Sequence, residues 1–70
     1  MNFKENLKEL RIKNNLTQQQ ISNLLKIPLG TIRNWEQGYS TPKDLNTLEE
    51  LTKILNCDYN ELLKNKEKGE

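Results

Sequence analysis

Apolar residues recur along the chain at spacings of three or four, in five short segments separated by polar residues. The first three segments carry Phe3, Leu7 and Leu10; then Ile21, Leu24 and Leu25; then Ile32 and Trp35. The last two carry Leu45, Leu48, Leu51 and Leu55 on one stripe with Ile54 beside it, and then Leu62 and Leu63. This spacing is typical of amphipathic helices and predicts one helix for each segment.

Helix start signals lie between the segments. Thr17 and Gln20 match the capping box, in which a hydroxyl accepts from a free backbone N–H and the later side chain reaches back. Asp58 and Glu61 repeat the pattern before the fifth segment, and Asp44 is a candidate N-cap for the fourth.

Helix stop signals complete the boundaries. The first and fourth segments are followed by asparagine, at Asn14-Asn15 and at Asn56, and asparagine tolerates a left-handed cap. Gly38 suits the end of the third helix. Pro28 interrupts the second segment and suits the first turn of a new helix.

These elements predict an all-α fold, a compact five-helix domain. Seventy residues allow one domain at most, which we place at residues 1–64. Residues 65–70 contain no apolar side chain, so we expect a disordered polar tail there.

Composition argues against several function classes. Histidine is absent and Cys57 is the single cysteine, so neither a zinc site nor an internal disulfide is expected, and no cofactor is indicated. No nucleophile–base or carboxylate pair accompanies a cleft signature, so we do not expect an enzyme. No apolar run approaches the roughly 18–20 residues of a membrane span, and the first ten residues lack a signal peptide's apolar stretch. We therefore expect a cytoplasmic protein.

The net charge of +1 conceals an uneven distribution. Residues 11–43 carry five cations against Glu36 alone, a net charge of +4, whereas residues 44–70 carry four lysines against seven acids, a net charge of −3. A basic middle is expected if one face of the domain meets phosphate, although chance clustering of surface charge explains it equally well.

The segment from Leu16 to Gly38 contains two short helices separated by a break of three or four residues. Such a pair crosses steeply, so the second helix projects and fits the major groove of DNA. This segment resembles the Cro/cI-type helix-turn-helix family, also called the lambda-repressor-like family. The resemblance of the chain as a whole extends over about residues 7–63. The resemblance rests on Leu10-Arg11, Leu16-Thr17-Gln18, Thr31-Ile32-x-x-Trp35-Glu36-x-Gly38 and Asp58-x-x-Glu61-Leu62.

The resemblance implies particular DNA contacts. The residues expected at base edges are Leu29, Gly30, Arg33 and Asn34. Arginine grips guanine in a bidentate way, asparagine pairs with adenine, and leucine contacts a thymine methyl group. The residues expected at backbone phosphates are Thr17 and Gln18, at a helix N-terminus, and Gln37, Tyr39 and Lys43, around the following loop. The alternative for these side chains is an ordinary solvated helix face and loop.

The resemblance also implies structural roles. Arg11 and Glu36 are expected to form a partly buried salt bridge between the first and third helices, and Trp35 to lie in the core. Cys57 takes the place of a buried small aliphatic residue. Leu24 is expected to be an isolated apolar residue exposed on the surface. The chain departs from the family at Lys26, where glycine is usual. It also departs from the family at Pro28 and at Gly30.

The predicted function is sequence-specific binding of double-stranded DNA by a transcriptional regulator, a repressor of a phage or mobile-element type. We expect a weak homodimer that assembles on a palindromic operator. The residues most able to pair are Tyr59, Leu62 and Leu63, although we expect at least one of the two leucines to close the core instead. The alternative is an antitoxin or a protein-interaction module that kept the fold and binds DNA weakly or not at all.

Overall fold

A computed structural model describes residues 3–64, which form five helices and no strand. The helices are α1 (Phe3–Lys13), α2 (Gln18–Leu25), α3 (Leu29–Gln37), α4 (Leu45–Ile54) and α5 (Tyr59–Leu63). The predicted all-α, five-helix architecture is confirmed. The predicted tail at residues 65–70 lies outside the described residues.

One apolar core joins all five helices. Its buried members are Phe3, Leu7, Ile21, Ile32, Trp35, Leu51, Leu55 and Leu62. Each of them lies on one of the predicted apolar stripes, so the helical spacing of the sequence included every buried core residue.

The stripe predicted for α4 is wrong at its first position. Leu45 is 74% exposed, Leu48 is half-buried, and Leu51 and Leu55 are fully buried. Burial therefore increases from the first turn of α4, which lies outside the core, to its C-cap residue Leu55.

Both predicted capping boxes are present. The Thr17 hydroxyl accepts from the backbone N–H of Gln20 at 3.0 Å, and the Gln20 side chain accepts from the backbone N–H of Thr17 at 2.8 Å. Asp58 and Glu61 make the same reciprocal pair at 2.8 and 3.2 Å. Asp44 is the N-cap residue of α4, but its side chain makes no capping hydrogen bond.

Four residues take the left-handed conformation where the chain leaves a helix. Three are the predicted Asn15, Asn56 and Gly38, with φ of 58°, 54° and 87°. The fourth is Lys26, with φ of 60°, at the position where the family usually has glycine. A side chain at this φ costs about 1–2 kcal/mol, so the turn retains some backbone strain.

Asn6 of α1 and Asn14, directly after α1, join this helix to later parts of the chain. Asn6, 1% exposed, donates from Nδ2 to the carbonyl oxygens of Leu62 at 2.9 Å and Lys64 at 2.8 Å. Asn14 donates to the carbonyl oxygens of Leu10 at 2.7 Å and Leu55 at 2.8 Å. Both asparagines thus donate to carbonyl groups at the ends of α4 and α5, where the helix supplies few backbone donors.

Candidate nucleic-acid interface

A three-residue turn, Lys26 to Pro28, sets the angle between α2 and α3. The backbone N–H of Ile27 donates to the Ser22 carbonyl at 3.1 Å, and the buried Ser22 hydroxyl donates to the Ile27 carbonyl. Pro28 is the N-cap of α3 with extended ψ of 144°, outside the helix rather than in its first turn. These bonds hold α3 in one direction relative to α2.

One face of α3 anchors the helix in the core. Ile32 is completely buried and Trp35 is 4% exposed. The Trp35 ring meets Phe3 of α1 edge to face, with ring centroids 6.4 Å apart and planes 78° apart. Trp35 is therefore a core residue, as predicted, and its ring is not available to stack on a base.

The opposite face of α3 turns outward and carries the five predicted contact residues of this helix. They are Leu29, Gly30, Arg33, Asn34 and Gln37, which recur at spacings of three and four and so share one face. Leu29 is half-buried and the other four are exposed. Within residues 3–64, the side chains of Arg33, Asn34 and Gln37 make no hydrogen bond or ion pair, so they are free to meet a ligand.

Gly30 leaves a gap in this face that the fold does not require. A Cβ atom built at residue 30 would meet no heavy atom within 4 Å, and its φ is not positive. The glycine is therefore explained neither by packing nor by backbone strain, and its surface is open to an approaching molecule.

Glu36 is neutralised beside the exposed face by an ion pair with Arg11. Arg11 Nε lies 2.6 Å from Glu36 Oε2, and Arg11 Nη2 lies 3.1 Å from Oε1. The side chains are 14% and 5% exposed, and Arg11 Nη1 also donates to the Leu16 carbonyl at 2.9 Å. The acid of the basic middle segment is thus both buried and paired, which leaves the outer face of α3 without a carboxylate.

Gln18 joins this ion pair, a contact that the sequence analysis missed. Its Nε2 donates to Glu36 Oε1 at 3.1 Å, so one buried carboxylate binds side chains from α1 and α2 while itself lying on α3. Gln18 is half-buried, whereas Thr17 beside it is exposed. No spacing rule links residues 18 and 36, because their contact depends on how α2 crosses α3.

The predicted contact residues at the end of α3 and in the loop after it are open to solvent. Gln37 and Lys43 are exposed, and Tyr39 is 77% exposed. The backbone N–H groups of Gly38 and Tyr39 both donate to the Asn34 carbonyl, which ends α3 with a tight turn. Tyr39 therefore lies directly after the end of α3.

The remaining chemistry of the described residues is limited. Within residues 3–64, no three side chains of histidine, cysteine, aspartate or glutamate are grouped so as to hold a metal ion. Burial, together with the negative charges of Glu61 and Asp58, raises the pKa of the Cys57 thiol. No helix among these residues is long and apolar enough to cross a membrane.

Comparisons with known proteins identify the family. A family model described as helix-turn-helix matches residues 7–62. The HTH-type transcriptional activator BcrR of Enterococcus faecalis is 34% identical over 67 residues, which are 96% of this chain and 32% of that protein, so the chain spans about a third of this relative's length. No solved structure matches the chain significantly. The matched range covers α2, the turn and α3 entirely, and the chain therefore belongs to the Cro/cI-type helix-turn-helix family of DNA-binding domains.

Proposed function

We propose that this domain binds double-stranded DNA sequence-specifically, with α3 in the major groove, and regulates transcription. The observation that carries the proposal is the outer face of α3, where Arg33 and Asn34 are exposed and unpaired and the nearby acid is neutralised. Arginine and asparagine read guanine and adenine through paired hydrogen bonds in this groove. The transcriptional activator to which the chain is similar supports a role in regulation.

Direct reading of bases would come from the outward residues of α3. Arg33 would bind guanine O6 and N7, Asn34 would bind adenine N6 and N7, and Leu29 would contact a thymine methyl group. Gly30 would let the helix backbone approach the bases closely, because no side chain separates the two surfaces.

Backbone contacts would flank the recognition helix on both sides. Thr17 and Gln18 open α2, where free N–H groups and the helix dipole favour a phosphate. Gln18 is held at this place by Glu36, which restricts its rotamers and reduces the entropy lost on binding. Gln37, Tyr39 and Lys43 would contact a second phosphate stretch after α3.

Selection of bound duplexes from a random DNA pool tests the function. We expect a defined consensus, and an affinity that falls steeply as the salt concentration rises. An absence of enrichment, with no gel shift at low salt, would instead support the alternative of an antitoxin-type or interaction module.

We further propose that two copies assemble on a palindromic operator. One domain of this size buries about 600–1,000 Å² on DNA, which is too little for tight specific binding at physiological salt. Tyr59, 45% exposed, and the half-buried Leu63 remain candidates for pairing, whereas Leu62 is fully buried and closes the core. Sedimentation with and without the selected duplex tests this: we expect mostly monomer alone and two copies per duplex. One copy on a non-palindromic site would contradict it.

The direction of regulation needs its own assay. Repression by a phage or mobile-element type of regulator remains our prediction, since a bound domain blocks polymerase simply by occupying a promoter. The similar protein of Enterococcus faecalis is an activator. A promoter–reporter measurement with the selected operator distinguishes the two outcomes.

A further inference from the structure

The side chain of Lys4 crosses from α1 to the end of the recognition helix. A Cβ atom built on Gly38 would lie 2.9 Å from Lys4 Cδ, 3.6 Å from Cε and 3.5 Å from Nζ. The aliphatic part of Lys4 therefore lies over the glycine Cα, and its ammonium group is beside the turn that ends α3. Gly38 is favoured here by its φ of 87°, and the flexible Lys4 side chain fills the space beside it.

Within residues 3–64, the Lys4 ammonium has no carboxylate partner. The ion pairs between Arg11 and Glu36 and between Lys53 and Glu49 do not involve it. Since Lys4 is exposed and its charge is uncompensated, an anion that approaches this turn meets a cation already in position.

The place of this ammonium matters because the turn borders the proposed interface. Gln37 precedes Gly38 on the outer face of α3, and Tyr39 follows it with 77% of its surface exposed. A DNA strand that contacts these residues would pass the Gly38 backbone. Because α1 packs against α3, the ammonium group of Lys4 would lie beside this DNA strand, although α1 is not part of the helix-turn-helix.

We propose that Lys4 binds a backbone phosphate of DNA beside the turn after α3. This inference rests on the proposed function. It extends the interface to α1 and adds one sequence-independent charge contact, which contributes to affinity without reading bases.

The alternative is a purely structural role, in which the ammonium stabilises the negative end of the α3 dipole. A phosphate contact predicts a change in the salt dependence of DNA binding, whereas a structural role predicts only a change in unfolding. The two roles are therefore separable by measurement.

The test compares Lys4→Gln with Lys53→Gln, which removes the same charge from an exposed side chain on α4. Binding is measured as log Kobs against log salt concentration, on both the selected duplex and a random-sequence duplex. We expect Lys4→Gln to lower the slope by about 0.9 on both duplexes, the value for one lost phosphate contact. We expect wild-type slopes for Lys53→Gln and for Lys4→Arg, which keeps the charge.

Several results would overturn the inference. Equal slopes for Lys4→Gln and the wild-type chain would overturn it. A lower unfolding midpoint of Lys4→Gln with an unchanged slope would indicate the structural role instead. Equal slope changes for Lys4→Gln and Lys53→Gln would show only a general effect of net charge. If the wild-type chain bound neither duplex, the proposed function itself would fail, and that result is distinguishable because it requires no variant.

Discussion

The buried ion pair between Arg11 and Glu36 makes Glu36→Ala the most informative perturbation of the fold. The carboxylate accepts two hydrogen bonds from Arg11 and one from Gln18, and its side chain is only 5% exposed. Truncation to alanine removes all three contacts. It leaves the Arg11 guanidinium, 14% exposed, with the Leu16 carbonyl as its remaining acceptor among the described residues.

The expected cost follows from how deeply the pair is buried. Removing one partner of a fully buried pair costs about 3–5 kcal/mol, mostly because a charge is left without compensation. Arg11 keeps one hydrogen bond and some access to water, so we expect a loss of about 2–4 kcal/mol. A domain of this length has a total free energy of unfolding of about 4–10 kcal/mol. About 0–8 kcal/mol would therefore remain, so the variant is partly unfolded only if the total lies at the lower end of this range.

Urea unfolding measures this loss, with the fluorescence of the buried Trp35 as the probe. Glu49→Ala is the matched control, because Glu49 also pairs with a cation but is 55% exposed, with 3.9 Å between Lys53 Nζ and its Oε2. We expect the control to change stability by less than about 1 kcal/mol.

A double-mutant cycle with Arg11→Ala completes the test. If the pair acts as a unit, the double variant should be more stable than the sum of the two single losses predicts, by at least about 1.5 kcal/mol. A loss for Glu36→Ala no larger than that of the control, or strictly additive losses, would refute the reasoning.

Further variants test the interface, the turn and the thiol. Arg33→Ala should weaken specific DNA binding by about 1–3 kcal/mol and leave the unfolding curve unchanged, because it removes a base contact and no core atom; unchanged affinity in a gel shift would exclude base reading. Gly30→Ala should stabilise the domain by about 0.5–1 kcal/mol, since its Cβ meets nothing, and yet weaken DNA binding; equal or tighter binding would argue against close backbone approach. Lys26→Gly should raise stability by up to about 1 kcal/mol by relieving the positive φ, partly offset by the freedom of glycine in the unfolded chain; a lower urea midpoint would contradict this. Because the raised pKa of Cys57 keeps its thiol protonated to higher pH, alkylation near neutral pH should be slower than in the urea-unfolded chain, which equal rates would disprove.

Local rules were sufficient for the five helices and for most of their ends; the exceptions are Asp44, whose side chain makes no capping hydrogen bond, and Pro28, which lies outside α3. The capping boxes at Thr17 and Asp58 involve residues three apart, so their signals are complete within four letters of sequence. The left-handed Asn15 and Asn56 likewise depend on one residue type at a helix end. The core followed from periodicity, because a helix buries a stripe whichever partner covers it.

The other misses concern how the helices lie against one another. Leu45 shares the α4 stripe, but periodicity cannot show where along its length a helix leaves the core. The contact between Gln18 and Glu36 depends on the crossing of α2 and α3, and the position of Lys4 on Gly38 depends on the docking of α1. Contacts of this kind are set by tertiary geometry, which a single sequence does not encode in any spacing.

The hydrogen bonds of Asn6 have a consequence for how the chain can be reconnected. They join residue 6 to the carbonyl groups of residues 62 and 64, so the two ends of the described domain lie side by side. Neighbouring ends permit circular permutation. A permutant in which a short glycine-rich linker joins these ends, reopened in the exposed loop 39–43, should therefore keep the core and α3, while its new ends would emerge beside the proposed DNA-binding face.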